Sequence, residues 1–133
     1  MSATAARLSV CAALAVVPLS AIGCRGGGAI PSYAVAIGGD PARGQAQVEV
    51  RHCGACHRIP DVTGAAGVVG PSLAGFARRS FIAGELPNTP ENLVPWIRDP
   101  HALERGTAMP ALGLDEGQAR DVAAFLYTLD GED

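Results

Sequence analysis

Apolar positions fall into three patterns along the chain, and each predicts a different element. The first is a continuous run, Leu8 to Leu19, interrupted only by Ser9, Cys11 and Pro18. It is shorter than the about 20 residues needed to span a bilayer. The second is weak: residues 25 to about 40 are Gly-rich and unpatterned, and Pro41 to His52 carries only Ala46, Val48 and Val50 as a modest helical face behind the capping pair Asp40-Pro41. The third is the helical stripe proper. Leu93, Trp96 and Ile97 recur at i, i+3, i+4 after Thr89-Pro90-Glu91, where Thr89 is the expected cap, and the helix ends at Asp99-Pro100. Ala119, Val122, Phe125, Leu126 and Leu129 form the clearest stripe, started by Asp115 with Gln118 three residues on and stopped by Gly131. Between these lie a Gly/Pro-punctuated loop, Ile59 to Gly75, and a short helical turn, Leu73 to Arg79. No strand is expected, so the fold class is all-α with three main helices.

The N-terminal run reads as a leader. Arg7 supplies a positive start, the apolar run follows, and small residues lead to Ala21-Ile22-Gly23-Cys24. This is the layout of a secretory signal peptide over 1–23. The last four residues resemble the lipobox of bacterial lipoproteins, although Leu is usual where Ala21 stands. The resemblance implies lipidation of Cys24, a flexible tether over 24–40, and a folded domain over 41–130. Ordinary signal cleavage nearby is the alternative. With several acyl chains at about 0.8 kcal/mol per buried CH₂, such an anchor is stable. The expected location is the periplasmic side of a bacterial membrane.

Composition changes little in this picture. The chain has 133 residues and a net charge of −3, enough for one domain. Loss of 1–23 removes Arg7 and no acid, leaving nine Arg against thirteen acidic residues. Nucleic-acid binding normally needs a basic footprint and is not expected. A partner with a basic docking face is.

The candidate chemistry lies in Cys53-Gly54-Ala55-Cys56-His57. Two thiols three residues apart can add to the two vinyl groups of one haem, and the adjacent His then faces the iron. A zinc site would need about four ligands, and outside this motif the mature chain offers only His52, His101 and Cys24. A redox dithiol would want a βαβ setting, which is absent. For the second iron ligand, Met109 is the only Met after Met1 and lies fifty-two residues beyond His57 in the loop Gly106-Thr107-Ala108-Met109-Pro110. A core-filling Met is the plain alternative, and His101 is the rival ligand. His52 is read as solvent-facing.

These segments occur in the order found in class I cytochromes c, which the chain resembles over roughly Asp40 to Leu129. The resemblance rests on Gly44 before the Cys motif, Gly70-Pro71-Ser72-Leu73-Ala74-Gly75, Trp96-Ile97-Arg98-Asp99-Pro100, the Met109 loop, and Phe125-Leu126-Tyr127. It implies a cytochrome c fold around one covalent haem c. It also implies that the Pro71 carbonyl accepts a hydrogen bond from His57, and that Leu73 packs on the haem. Arg79, or Arg78 if the loop slips by one, sits near a propionate. Trp96 lies close to Met109, and Thr107 bonds within the haem crevice. Gly44 meets Phe125 where the first and last helices cross, with Tyr127 at the surface or edge. Leu73, Phe76, Leu93, Trp96, Leu112 and Phe125 are the expected porphyrin contacts. Pro95 threatens to kink its helix and shift Trp96, and the spacing from Gly44 to Cys53 is one residue longer than usual.

The implied function is membrane-tethered transfer of single electrons in a respiratory chain, between redox protein partners such as a quinol-oxidising complex and a terminal oxidase. The chain is read as a carrier, not an enzyme. A peroxidase-like haem enzyme or ligand sensor, or a permanent subunit of an oxidase or dehydrogenase complex, are the alternatives.

Overall fold

A computed structural model describes residues 37–131. The leader, Cys24 and the tether up to residue 36 lie outside the described residues. The domain is mostly helical: α1 (Pro41–Val50), α2 (Pro90–Arg98), the one-turn α3 (Pro100–Leu103) and α4 (Glu116–Leu126). Among the described residues no helix is long and apolar enough to cross a membrane.

Each helix start has a local cause. The Asp40 carboxylate accepts from the backbone N–H of Ala42 at 2.9 Å and of Arg43 at 3.1 Å, and Pro41 fills the first helical position. Asp115 and Gln118 form a reciprocal capping box, 2.8 Å and 3.1 Å. Thr89 starts α2 without the expected side-chain cap. The Glu91 carboxylate accepts from its own backbone N–H and from Thr89, which holds it below the usual carboxylate range. Asp99 ends α2 and begins α3, accepting from Ala102 N–H at 3.3 Å.

α2 runs unbroken through Pro95. The bond this proline cannot make would go to the carbonyl of Glu91, and both residues are exposed, so water satisfies that carbonyl. Trp96 and Ile97 remain buried. A small antiparallel hairpin was not expected. It pairs β1 (Phe81–Ile82) with β2 (Leu86–Pro87), two residues on each side.

α1 and α4 cross at Gly44. A Cβ there would penetrate the Asp121 carbonyl and lie 2.9 Å from the Cβ of Phe125, so only glycine permits the approach. The longer spacing to Cys53 leaves this contact in place. Asp121 locks the crossing: it accepts from Asp40 N–H at 2.7 Å and from Arg43 Nε at 2.8 Å and Nη2 at 2.9 Å. The Arg43 guanidinium holds the Asp121 carboxyl below its usual range, against the opposing effect of burial.

Two expectations are corrected. Tyr127 is buried, not at the surface: its hydroxyl donates to Asn88 Oδ1 at 3.0 Å and its ring lies 6.0 Å from that of Phe76. Residues 37–40, assigned to the tether, pack on α4. Ile37 is 3% exposed, and its carbonyl accepts from Arg120 Nη1 at 3.1 Å.

Candidate functional site

The Cys motif follows directly from the end of α1. His52 adopts a left-handed φ of 55°, and Cys53–Ala55 then form a single 3₁₀ turn. The turn carries Cys53, Cys56 and His57 to one wall of a cavity of about 480 Å³. Pro71, Leu73 and Arg79 come to the same cavity from the long loop, Trp96 from α2, and Thr107 and Met109 from the loop before α4. His101 and Arg78 do not line it, although the sequence left both open. His52 is exposed at the mouth. Phe125 is also absent from the lining, because its side chain is spent on the α1–α4 crossing; Val122 and Leu126 of α4 face the cavity instead.

The imidazole is oriented by backbone alone. His57 Nδ1–H donates to the Pro71 carbonyl at 2.8 Å. A carbonyl can only accept, so the proton is on Nδ1 and the lone pair of Nε2 is free for a metal. Gly70 makes room for the ring: a Cβ there would stand 2.7 Å from Nδ1 and 2.9 Å from Nε2. The sequence reading valued Gly70 only as part of a motif; its closeness to the ring becomes visible when the loop folds back. The loop is held there by Gly70 N–H donating to the Cys56 carbonyl at 2.8 Å and by Leu73 N–H donating to the Arg58 carbonyl at 2.8 Å.

Arg79 Nη2 donates to the carbonyls of Ser72 and Ala74, and its guanidinium stacks 5.6 Å from the Phe76 ring centroid. Thr107 Oγ1 accepts from Met109 N–H at 3.2 Å, which shapes the backbone at Met109. Asn88 was missed by sequence reasoning. It donates to the carbonyls of Phe76 at 3.1 Å and Arg79 at 3.0 Å, fixing the wall that carries Arg79.

The donor set decides among the chemistries. Among the described residues no group of three or more His, Cys, Asp and Glu could hold a metal ion, so they offer zinc no four-ligand site. Burial pushes the Cys53 thiol up. Two thiols, an imidazole with a free Nε2 and a thioether around a largely apolar cavity fit a porphyrin joined through two thioether links. The volume lies within the range of about 300–1,000 Å³ for cofactor sites.

A family model described as cytochrome c matches residues 41–130. The cytochrome c2 iso-2 of Rhodospirillum centenum is 36% identical over 118 aligned residues, covering 66% of this chain and 93% of that protein. A cytochrome c oxidase subunit 2 of Alkalihalophilus pseudofirmus is 38% identical over 88 residues, covering 65% of this chain and 25% of the subunit. A second oxidase subunit 2, from a Bacillus species, is 34% identical over 83 residues and is covered to 23%. The chain thus spans about a quarter of these oxidase subunits, and nearly all of the cytochrome c2.

Proposed function

The chain belongs to the cytochrome c family, with a covalent haem c on Cys53 and Cys56 and haem-based electron transfer as its function; from that premise we propose a membrane-tethered one-electron carrier ligated by His57 and Met109. The observation that carries the ligation is the shared cavity, in which His57 and Met109 come from different segments and His101 takes no part. The bound haem supplies a reversible couple between ferrous and ferric iron. The chain's own residues do the rest. Pro71 and Gly70 hold the imidazole with its Nδ1 proton committed to the Pro71 carbonyl. Leu73, Phe76, Leu93 and Trp96 keep water from the interior. A thioether as second ligand favours the reduced state and raises the potential. It also leaves no coordination position for substrate, which favours a carrier over a peroxidase-like enzyme.

Arg79, with its guanidinium on the cavity wall, is placed to meet a propionate. Exposed Val69, Phe81, Ala108 and Pro110 line the cavity, and no Asp or Glu does. A partner therefore meets a mainly apolar surface there, and a basic docking face would act at longer range. Lipidation of Cys24 would hold the domain at the periplasmic side of a bacterial membrane and raise its effective concentration near membrane-bound partners.

The oxidase subunits favour a second reading, that of a cytochrome domain held permanently beside an oxidase. Co-purification of a stoichiometric oxidase after detergent extraction would select it; a free monomer would select the shuttle. For the ligation, Met109→Ala should convert the spectrum of the ferric protein from low to high spin and admit carbon monoxide to the reduced form. Unchanged spectra in this variant would overturn the Met109 assignment. Mass spectrometry of the intact protein reports the haem and the lipid together.

A further inference from the structure

Arg51 occupies an unusual place. It ends α1, two residues before Cys53, and it lines the cavity. Its Nη1–H donates to the carbonyl of Leu112 at 2.9 Å, and Leu112 lies three residues beyond Met109. Its Nη2 reaches Gln118 Oε1 at 3.5 Å, the same oxygen that accepts from Asp115 N–H in the α4 capping box. One guanidinium therefore touches three segments: the helix leading into the Cys motif, the loop carrying Met109, and the start of α4.

The rest of that loop needs such a tie. Before Met109, the bonds Thr107 N–H to the Glu104 carbonyl and Gly106 N–H to Glu104 Oε1 brace the turn. Beyond Met109, residues 110–114 form no regular element, and they are held by the Arg51 bond and by burial of Leu114. The placement also carries a cost. Among protein atoms, Arg51 Nε is buried without a partner, as is Gln47 Oε1 one helical turn earlier. Burying such a group costs free energy. What offsets it is the pair of bonds made by the outer nitrogens.

We propose that Arg51 is a positioning residue that fixes the Met109 loop to the helix leading into Cys53, and so keeps the thioether at the iron. The proposal rests on the reading of Met109 as a ligand. Opening of residues 110–114 would release the thioether, and Arg51 sets how often that opening occurs. As a permanent cation on the cavity wall, it also disfavours the ferric charge state and raises the potential.

The test uses ferric holoprotein with Arg51→Lys and Arg51→Met, titrated with imidazole and followed at the thioether-to-iron charge-transfer band in the near infrared. Loss of a charged hydrogen bond predicts that imidazole displaces Met109 about tenfold more readily in Arg51→Met. Lysine keeps the charge but cannot span both acceptors. Arg51→Lys should therefore retain most of the potential yet exchange its ligand faster than wild type. Asp121→Asn serves as the control for general destabilisation, since it acts at the far end of α1. Equal imidazole affinity in wild type and both Arg51 variants would overturn the proposal, as would an equal rise in Asp121→Asn. If Arg51→Met fails to mature, the comparison of Arg51→Lys with wild type decides alone. Absence of the band in wild type would instead refute Met109 ligation. Amide exchange of residues 110–114 in wild type against Arg51→Lys would then judge the tie: faster exchange supports it, and unchanged exchange overturns it.

Discussion

The two halves of the domain are built on different terms. The α1–α4 crossing is closed by protein atoms alone: Ala119, Ala123 and Ala124 are fully buried, Gly44 lets the backbones touch, and Asp121 ties both helices through Asp40 and Arg43. The cavity half, residues 57–87 and 104–114, has little regular structure beyond one 3₁₀ turn and a hairpin of two residues per strand. Its apolar side chains converge on a cavity of about 480 Å³. Protein interiors are packed with few voids larger than a water molecule, so these loops have neighbours on one side only until a prosthetic group supplies the other. The crossing is a scaffold in its own right; the loops are a binding shell.

The largest effect should come from preventing haem attachment. A Cys53→Ser, Cys56→Ser double variant should lose the near-ultraviolet circular dichroism of Trp96 and slow amide exchange throughout 57–87, with residual protection confined to α1 and α4. Native helix content and fixed tertiary structure in that chain would break the comparison. Next comes the crossing. Gly44→Ala forces the helices apart and should destabilise the holoprotein by about 3 kcal/mol, read from the denaturant midpoint.

The smallest effect is at Asp121. Its side chain is 12% exposed, whereas Arg43 is 64% exposed, so solvent screens the pair from one side. Asp121→Asn should cost about 1–2 kcal/mol at neutral pH, mainly through weaker bonds to Arg43 and Asp40. Because the folded carboxyl is held below its ordinary value, its contribution is complete above about pH 4 and is lost as pH falls further through the folded value. The variant should therefore show a flatter loss of stability in acid than wild type. A parallel pH profile would place the acid sensitivity elsewhere.

Much of the scaffold is legible in the sequence because its signals are local. Asp40-Pro41 and Asp115 with Gln118 cap helices through neighbours a few residues away, and the Cys motif names its own chemistry. The hairpin is not legible, since two residues per strand leave no periodicity to read. Tyr127 was misplaced because its partner Asn88 lies thirty-nine positions earlier and carries no motif. Phe125 was given two roles, at the crossing and at the haem, and one side chain fills only the first. Arg51 went unnoticed for a related reason. Its partners Leu112 and Gln118 are more than sixty residues away, and one of them is a backbone carbonyl that no residue type announces.

The point where the chain enters the domain has a mechanical consequence. Ile37 is clamped under Arg120 at the start of α1, and the cavity lies toward the other end of that helix, about 15 Å along its axis. A pull transmitted through residue 36 would load the α1–α4 crossing in shear, against the Asp40, Arg43 and Asp121 bonds acting together. Strain from whatever the leading segment holds would be borne by the part of the molecule best able to resist it, while the mouth stays free to turn toward a partner.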